Sequence, residues 1–143
     1  MSVVLLLNLL LPVAGVAMIS VCLGHFYLAR LLDWKNDMKT LKPINQQVFF
    51  AHTMFLTIGM AMLGLVCIFY PLELTTKSTL GAISALCFAL CWLSRLIFQF
   101  VVFTSPFAED TRLEQRLRWA GTLLWFCLTL LFSLLFAFQI GAL

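Results

Sequence analysis

Four long stretches of almost uninterrupted apolar residues divide the chain, and shorter polar segments separate them. They cover residues 3–28, 46–70, 80–103 and 119–138. Each is about 20 residues long or more, enough for a helix to cross the roughly 30 Å hydrocarbon core of a bilayer. Because backbone polar groups in lipid must bond within the segment or within a closed barrel, the pattern predicts four transmembrane α-helices.

The connections between these stretches predict how the helices follow one another. The second connection, over residues 72–79, is so short that the helices on either side must be antiparallel neighbours. No composition shift, repeat or low-complexity segment marks a domain boundary. We therefore predict an all-α fold, an integral membrane up-down four-helix bundle that forms one transmembrane domain over residues 1–143.

Composition changes this picture little, and it excludes several classes of protein. Apolar residues make up 63% of the chain and charged residues 10%, against about 45–50% and 25% in soluble domains. The five cysteines all lie in apolar stretches, without the spacing of a zinc site. The net charge of +3 is small and clustered, so it indicates membrane topology and not a nucleic-acid partner.

Basic residues predict the orientation in the membrane, because cytoplasmic loops are enriched in lysine and arginine. Those of the two longer connections are Arg30, Lys35, Lys39, Lys42, Arg112, Arg116 and Arg118. Only Lys77 lies on the opposite side. We expect a bacterial inner-membrane protein with cytoplasmic long loops and extracytoplasmic termini.

A polar pair interrupts the third apolar stretch. Arg95 would cost roughly 2.5–3.5 kcal/mol near the bilayer centre, so something must receive it. Gln99 lies one helical turn further along, on the same face. Extended backwards, we expect this face to include Cys91, Cys87 and Ser84 and to form the wall of a polar site. The alternative is an arginine whose stem lies in lipid while its charge reaches the interface.

Antiparallel threading predicts that further polar residues gather at the cytoplasmic ends of the helices. The candidate ligand-binding residues at this end are Arg95, Gln99, His52, His25, Glu114 and Asp33. The counter-ion of Arg95 is expected to be Asp33, Glu114, a lipid phosphate or a bound anion. Glu114 is favoured, because it follows the third helix after a short loop. The bland alternative is that these side chains only cap the helices at the interface.

The two histidines carry the sharpest chemical hypothesis. His25 and His52 are expected at similar depth on adjacent helices, where they could be the axial ligands of a haem or help to hold a metal. No carboxylate within the apolar stretches completes a non-haem metal site. The alternative is a pair of hydrogen-bonded packing residues. No nucleophile motif or catalytic acid pair is present, so no catalytic residue is predicted.

Residues 43–103 also carry a recognisable pattern. Before the second helix it reads Pro-x-x-x-Gln, and in the third helix Trp-x-x-Arg-Leu-x-x-Gln-Phe. The matching residues are Pro43, Gln47, Trp92, Arg95, Leu96, Gln99 and Phe100. In this pattern the chain resembles small four-span bacterial membrane proteins of unassigned function. The resemblance covers under half of the chain and implies that Arg95 and Gln99 matter to such a family, but it supplies no substrate.

Three functions follow as hypotheses. The first is a non-enzymatic membrane protein, an accessory subunit that assembles in the lipid bilayer with itself or with a larger complex. The second is a small ligand-binding membrane protein that takes a haem, a quinone or an anionic lipid between its helices. The third is a lipid-modifying membrane enzyme.

Overall fold

The computed structural model describes residues 2–31, 33–101 and 112–143. Within these ranges the chain forms helices and turns, without a β-strand. The α-helices are α1 (Val3–Leu31), α2 (Trp34–Asp37), α3 (Pro43–Phe69), α4 (Pro71–Leu74), α5 (Thr79–Val101) and α6 (Arg112–Gln139), with a 3₁₀ turn at Met38–Thr40.

The four long helices α1, α3, α5 and α6 are long and apolar enough to cross a membrane. Many of their large apolar side chains point outward, among them Leu23, Leu56 and Leu80, each about two-thirds exposed or more. Such a surface would be unfavourable in water and costs little in lipid. The predictions of an all-α chain and of a multi-pass integral membrane protein are confirmed at this level.

The helices extend beyond the apolar stretches that predicted them. α1 continues to Leu31, α3 begins at Pro43, and α6 begins at Arg112 rather than near residue 119. Proline suits the first helical position, and Leu, Glu, Gln and Arg all favour helix outside the lipid. Hydropathy therefore located the spans, and helix propensity carried them further. The predicted end of the third span at residue 103, with most of the loop after it, lies outside the described residues.

Contacts divide the chain into two compact units. One comprises Met1–Asn8 together with Leu72–Leu143, and the other comprises Leu9–Pro71. Each is described by itself below, as the α5–α6 unit and the α1–α3 unit.

In the α5–α6 unit, Gln139 ties the end of α6 to the turn between α4 and α5. Its side-chain amide donates to the carbonyl oxygens of Leu74, at 2.6 Å, and Thr76, at 3.0 Å. Its Oε1 accepts from the backbone N–H of Ser78 at 2.9 Å. Gly81 gives the amide room, since a Cβ there would lie 2.7 Å from Gln139 Nε2. A buried glutamine thus satisfies the polar backbone of a turn that forms no regular helix.

Asn8 reaches the same turn from the N-terminal part of α1. The Thr75 hydroxyl donates to Asn8 Oδ1 at 3.0 Å, and Thr75 is buried. Asn8 is a polar residue inside an apolar span, and this hydrogen bond from Thr75 gives its side-chain oxygen a donor.

α5 and α6 pack against each other through small residues on one helix and large residues on the other. Ala85 and Ala89 are buried on α5, and Phe132 is fully buried on α6, with its ring 5.4 Å from that of Phe88. Cys87 and Cys91 are exposed, so neither takes part in the packing of α5 on α6. The polar wall that they were expected to form with Arg95 stays a prediction. The face of α5 that packs on α6 is the one that carries Ala85 and Ala89.

In the α1–α3 unit, two glycines let the helices approach closely. A Cβ at Gly15 would lie 2.5 Å from the carbonyl oxygen of Gly64, and one at Gly64 would lie 3.0 Å from that of Gly15. Further along, the thiol of Cys22 donates to the carbonyl oxygen of Thr57 at 3.3 Å. These contacts define an antiparallel crossing in which backbones meet through small residues.

We expect Gln139→Leu to destabilise the protein by about 2–3 kcal/mol, because the Ser78 N–H and two carbonyl oxygens lose their partner in a buried turn. Thermal unfolding in detergent micelles measures this loss. The control is Thr129→Val, whose hydroxyl bonds only the carbonyl of Trp125 in its own helix. A Gln139→Leu variant that melts with the control would show that the turn does not depend on the amide.

Gly15→Ala should lower the free energy of unfolding by about 1–3 kcal/mol, because the added methyl group forces the two helices apart. The melting temperature should fall accordingly. Gly24→Ala on the same helix is the matched control, since a Cβ at Gly24 meets no atom within 4 Å. Equal melting temperatures of the two variants would contradict the close crossing.

Candidate functional site

The polar pair of the third stretch lies on α5 and meets an aromatic stack shared with α6. Arg95 Nη1 donates to Gln99 Oε1 at 3.0 Å. The guanidinium carbon lies 5.1 Å from the ring centroid of Trp125. Trp125 stacks almost parallel on Trp92, with 5.4 Å between centroids and 8° between planes. We call Trp92, Arg95, Gln99 and Trp125 the arginine–tryptophan cluster.

Helical spacing and the packing of α5 on α6 build this cluster. Trp92, Arg95 and Gln99 follow one another at intervals of three and four residues, so they share one face of α5. Trp125 comes from α6, beyond the reach of any local pattern. The contacts of Gln139 with the α4–α5 turn and of Phe132 with Phe88 set the register that brings it there.

The cluster stabilises a permanent charge inside an apolar segment. A guanidinium group stays protonated in proteins, so Arg95 cannot escape burial by losing its charge. The face of an indole ring is electronegative, and a cation over it gains about 0.5–2 kcal/mol, more where water is excluded. Arg95 is half-buried, and Gln99 supplies a neutral oxygen in addition. Aromatic and amide contacts thus offset part of the cost of placing this charge in lipid.

Trp92 contributes its ring but not its N–H. The side chain is 8% exposed, and its Nε1 has no hydrogen-bond partner among the described residues. A buried donor without an acceptor costs about 1–3 kcal/mol, and a buried tryptophan usually finds one. The stacking of Trp92 on Trp125 therefore takes precedence over hydrogen bonding at this position.

Glu114, the expected counter-ion of Arg95, lies in the first turn of α6. It precedes Trp125 by about three turns, or about 16 Å of helix rise. Its pairing with Arg95 stays a prediction.

The histidines belong to the α1–α3 unit, and each bonds within its own helix. His25 Nδ1 lies 3.2 Å from the carbonyl oxygen of Val21, and His52 Nδ1 lies 3.0 Å from that of Val48. A carbonyl oxygen only accepts, so Nδ1 carries the proton in both rings. In the neutral ring, Nε2 then carries the lone pair.

The register of α1 and α3 places the two histidines at similar depth. Gly15 meets Gly64 and Cys22 meets Thr57, so His25 lies level with a residue within one turn of His52. Their neighbours differ, however. The His25 ring packs edge-on against Trp34 at 6.2 Å, whereas His52 is exposed. Neither a hydrogen bond nor a ring contact joins them, and haem ligation by this pair stays a prediction.

Asp33 has a local role in the turn after α1. Its φ of 48° places it in the left-handed region, and its carboxylate accepts from the side-chain amide of Asn36. Short polar residues such as aspartate tolerate this conformation because they bond nearby backbone or side chains.

The six predicted site residues therefore fall into two sets. His25, Asp33 and His52 lie in the α1–α3 unit, and the others lie in the α5–α6 unit. Their convergence on one ligand site stays a prediction. Within the three described ranges of the chain, no group of three His, Cys, Asp or Glu side chains could hold a metal ion.

The sequence did not predict two of these contacts, the stacking of Trp92 and the hydrogen bonds of Gln139. Trp92 belongs to the quoted Trp-x-x-Arg pattern, yet nothing in that pattern indicates stacking on a second helix. Gln139 stood out only as a polar residue near the end of a span.

No protein-family model, no curated protein and no solved structure matches this chain.

Arg95→Lys should lower the stability by about 1 kcal/mol or more, because a compact ammonium group on a different stem cannot keep both the guanidinium position over Trp125 and the bond to Gln99. Arg116→Lys, at an exposed position of α6, is the control for the chemical change alone. Thermal unfolding in detergent compares the two. If Arg95→Lys melts like Arg116→Lys, the contact of the guanidinium with Trp125 does not contribute to stability.

Proposed function

We propose that the chain is a non-enzymatic integral membrane protein, an accessory subunit that assembles through α3 with a second copy of itself or with a larger membrane complex. The exposure of α3 carries this proposal. Along this helix only Gly64 and Cys67 are buried. α6 buries Leu128, Leu131, Phe132, Leu135, Phe138 and Gln139.

One exposed face of α3 has the features of a helix-packing surface. His52, Leu56 and Gly59 follow one another at intervals of four and three residues, so they share this face. A side chain at Gly59 would meet no atom within 4 Å, which leaves room for a neighbouring backbone. His52 offers its Nε2 as an acceptor on the same face. In membranes, small residues permit close helix approach and polar side chains bond across helices.

The position of His52 makes a partner there favourable. It lies about 13 Å of helix rise from Pro43, deep enough to pass the headgroup region of a bilayer. An acceptor exposed to hydrocarbon has no water to bond, and a donor on another helix would remove that cost.

The proposed architecture is an up-down bundle of four helices in the bacterial inner membrane. The basic residues of the two longer connections support cytoplasmic loops, with extracytoplasmic termini. A reporter that is active only after translocation should be active when fused after Leu143. If a reporter that is active only in the cytoplasm is active at that position, the orientation is the opposite of the one proposed.

Assembly can be measured by native mass spectrometry of the protein extracted with its surrounding lipid. We expect species heavier than the 16.2 kDa chain, and we expect His52→Leu and Gly59→Leu to lower their fraction severalfold. Gly24→Leu is the control, since a Cβ at Gly24 of α1 also meets no atom within 4 Å. If the unmodified protein is only monomeric, or if all three variants behave alike, α3 is not an assembly face.

The second candidate function is a small ligand-binding membrane protein for a haem, a quinone or an anionic lipid. The arginine–tryptophan cluster favours it, because a charge and two indole rings side by side can bind an anionic or aromatic group. A visible spectrum of the purified protein tests the haem form of this proposal. A Soret band that is lost in His25→Ala or His52→Ala would favour it over the assembly function.

A further inference from the structure

A short structured segment connects α1 to α3, and an indole ring fixes it to both helices. The ring of Trp34 packs edge-on against His25 of α1, at 6.2 Å, and against Phe49 of α3, at 5.4 Å. We call Arg30, at the end of α1, together with residues 33–42 the basic segment. It includes helix α2 and the 3₁₀ turn.

The contacts of Trp34 define the depth of this segment. Phe49 lies about 9 Å of helix rise inside the start of α3 at Pro43. An indole held at that level lies where tryptophan is enriched, between the headgroups and the acyl chains. This contact predicts that the basic segment lies along the membrane interface, with its charged side chains near the lipid phosphates.

The charges of the segment are predominantly positive and available. Arg30, Lys35 and Lys42 are exposed, and their side chains make no hydrogen bond or ion pair with the described part of the chain. The fourth cation, Lys39, donates to Asn36 Oδ1 at 2.8 Å.

The segment also contains two carboxylates, Asp33 and Asp37, against its four cations. Asp33 already accepts from Asn36. The excess of positive charge therefore remains for a partner outside this part of the protein.

We propose that the basic segment binds the headgroups of anionic phospholipids in the adjacent leaflet. Clusters of lysine and arginine beside a transmembrane helix attract anionic lipid, and each cation near the surface contributes to the attraction. The turn between α4 and α5 has fewer cations than the basic segment, and its charge is not free of contacts within the protein. Its one cation, Lys77, lies 5.0 Å from the ring of Phe138, and Glu73 stands nearby in sequence.

This inference is independent of the proposed assembly function. It requires only that the helices on either side of the segment cross the membrane, and it can be measured on the monomeric species. A loss of lipid binding and a loss of assembly are therefore separate results.

The test uses native mass spectrometry of the full chain in neutral detergent, with phosphatidylglycerol or phosphatidylcholine of the same acyl chains added. The number of lipids retained by the monomer is counted for each. The variant is the triple change Arg30→Gln, Lys35→Gln and Lys42→Gln. The control removes the same charge elsewhere, with Arg112→Gln, Arg116→Gln and Arg118→Gln.

We expect the unmodified protein to retain phosphatidylglycerol in preference to phosphatidylcholine. The triple variant of the basic segment should lose at least about tenfold in apparent affinity for phosphatidylglycerol, as expected for the removal of three interfacial cations. The charge-preserving variant, Arg30→Lys with Lys35→Arg and Lys42→Arg, should bind as the unmodified protein does.

Three results would overturn the proposal. One is equal retention of the two lipids by the unmodified protein. Another is an equal loss in the two charge-removing triple variants, which indicates unspecific attraction. The last is displacement of phosphatidylglycerol by millimolar inorganic phosphate, which indicates a site for a soluble anion. Melting curves in phosphatidylcholine micelles verify that each variant is folded.

Discussion

The side-chain amide of Gln139 bonds three backbone groups of the turn between α4 and α5, and the pairing of α5 with α6 depends on it. The buried polar groups of this turn are satisfied by no helix and cannot bond water, so they need partners within the protein. Because Gln139 is the last residue of α6, its bonds to Leu74, Thr76 and Ser78 fix where α6 ends relative to α5. This alignment of the helix ends decides which residues of α5 and α6 meet further along.

The arginine–tryptophan cluster is one consequence of that alignment. Arg95 is a permanent charge in an apolar helix, and the expected means of stabilising it was a carboxylate or a lipid phosphate. The structure adds another, the face of Trp125 backed by Trp92, with an amide oxygen from Gln99. This arrangement leaves the indole N–H of Trp92 without an acceptor. Stacking and charge stabilisation therefore outweigh one hydrogen bond at this site.

In the α1–α3 unit, close contact between Gly15 and Gly64 concentrates the packing of α3 on one narrow face. Other positions of α3 remain exposed, among them His52 and the open position at Gly59. That division of one helix into a packed and an exposed face supports assembly as the proposed function. At the end of the same unit, Trp34 packs on Phe49 beside a set of exposed cations. We propose different partners for the two surfaces, a neighbouring helix for one and anionic lipid headgroups for the other.

The sequence by itself determined the four apolar helices, because the length of an apolar run and the bilayer thickness suffice for that. It also determined that Arg95 and Gln99 share a face, since helical spacing is local. Only the tertiary structure decided what meets that face: Trp125 lies on another helix, and Ala85 and Ala89, not Cys87 and Cys91, face α6. In lipid, hydrophobicity does not distinguish one side of an apolar helix from another. Close packing and the polar contacts of Gln139 make that choice, and both depend on residues far apart in the chain.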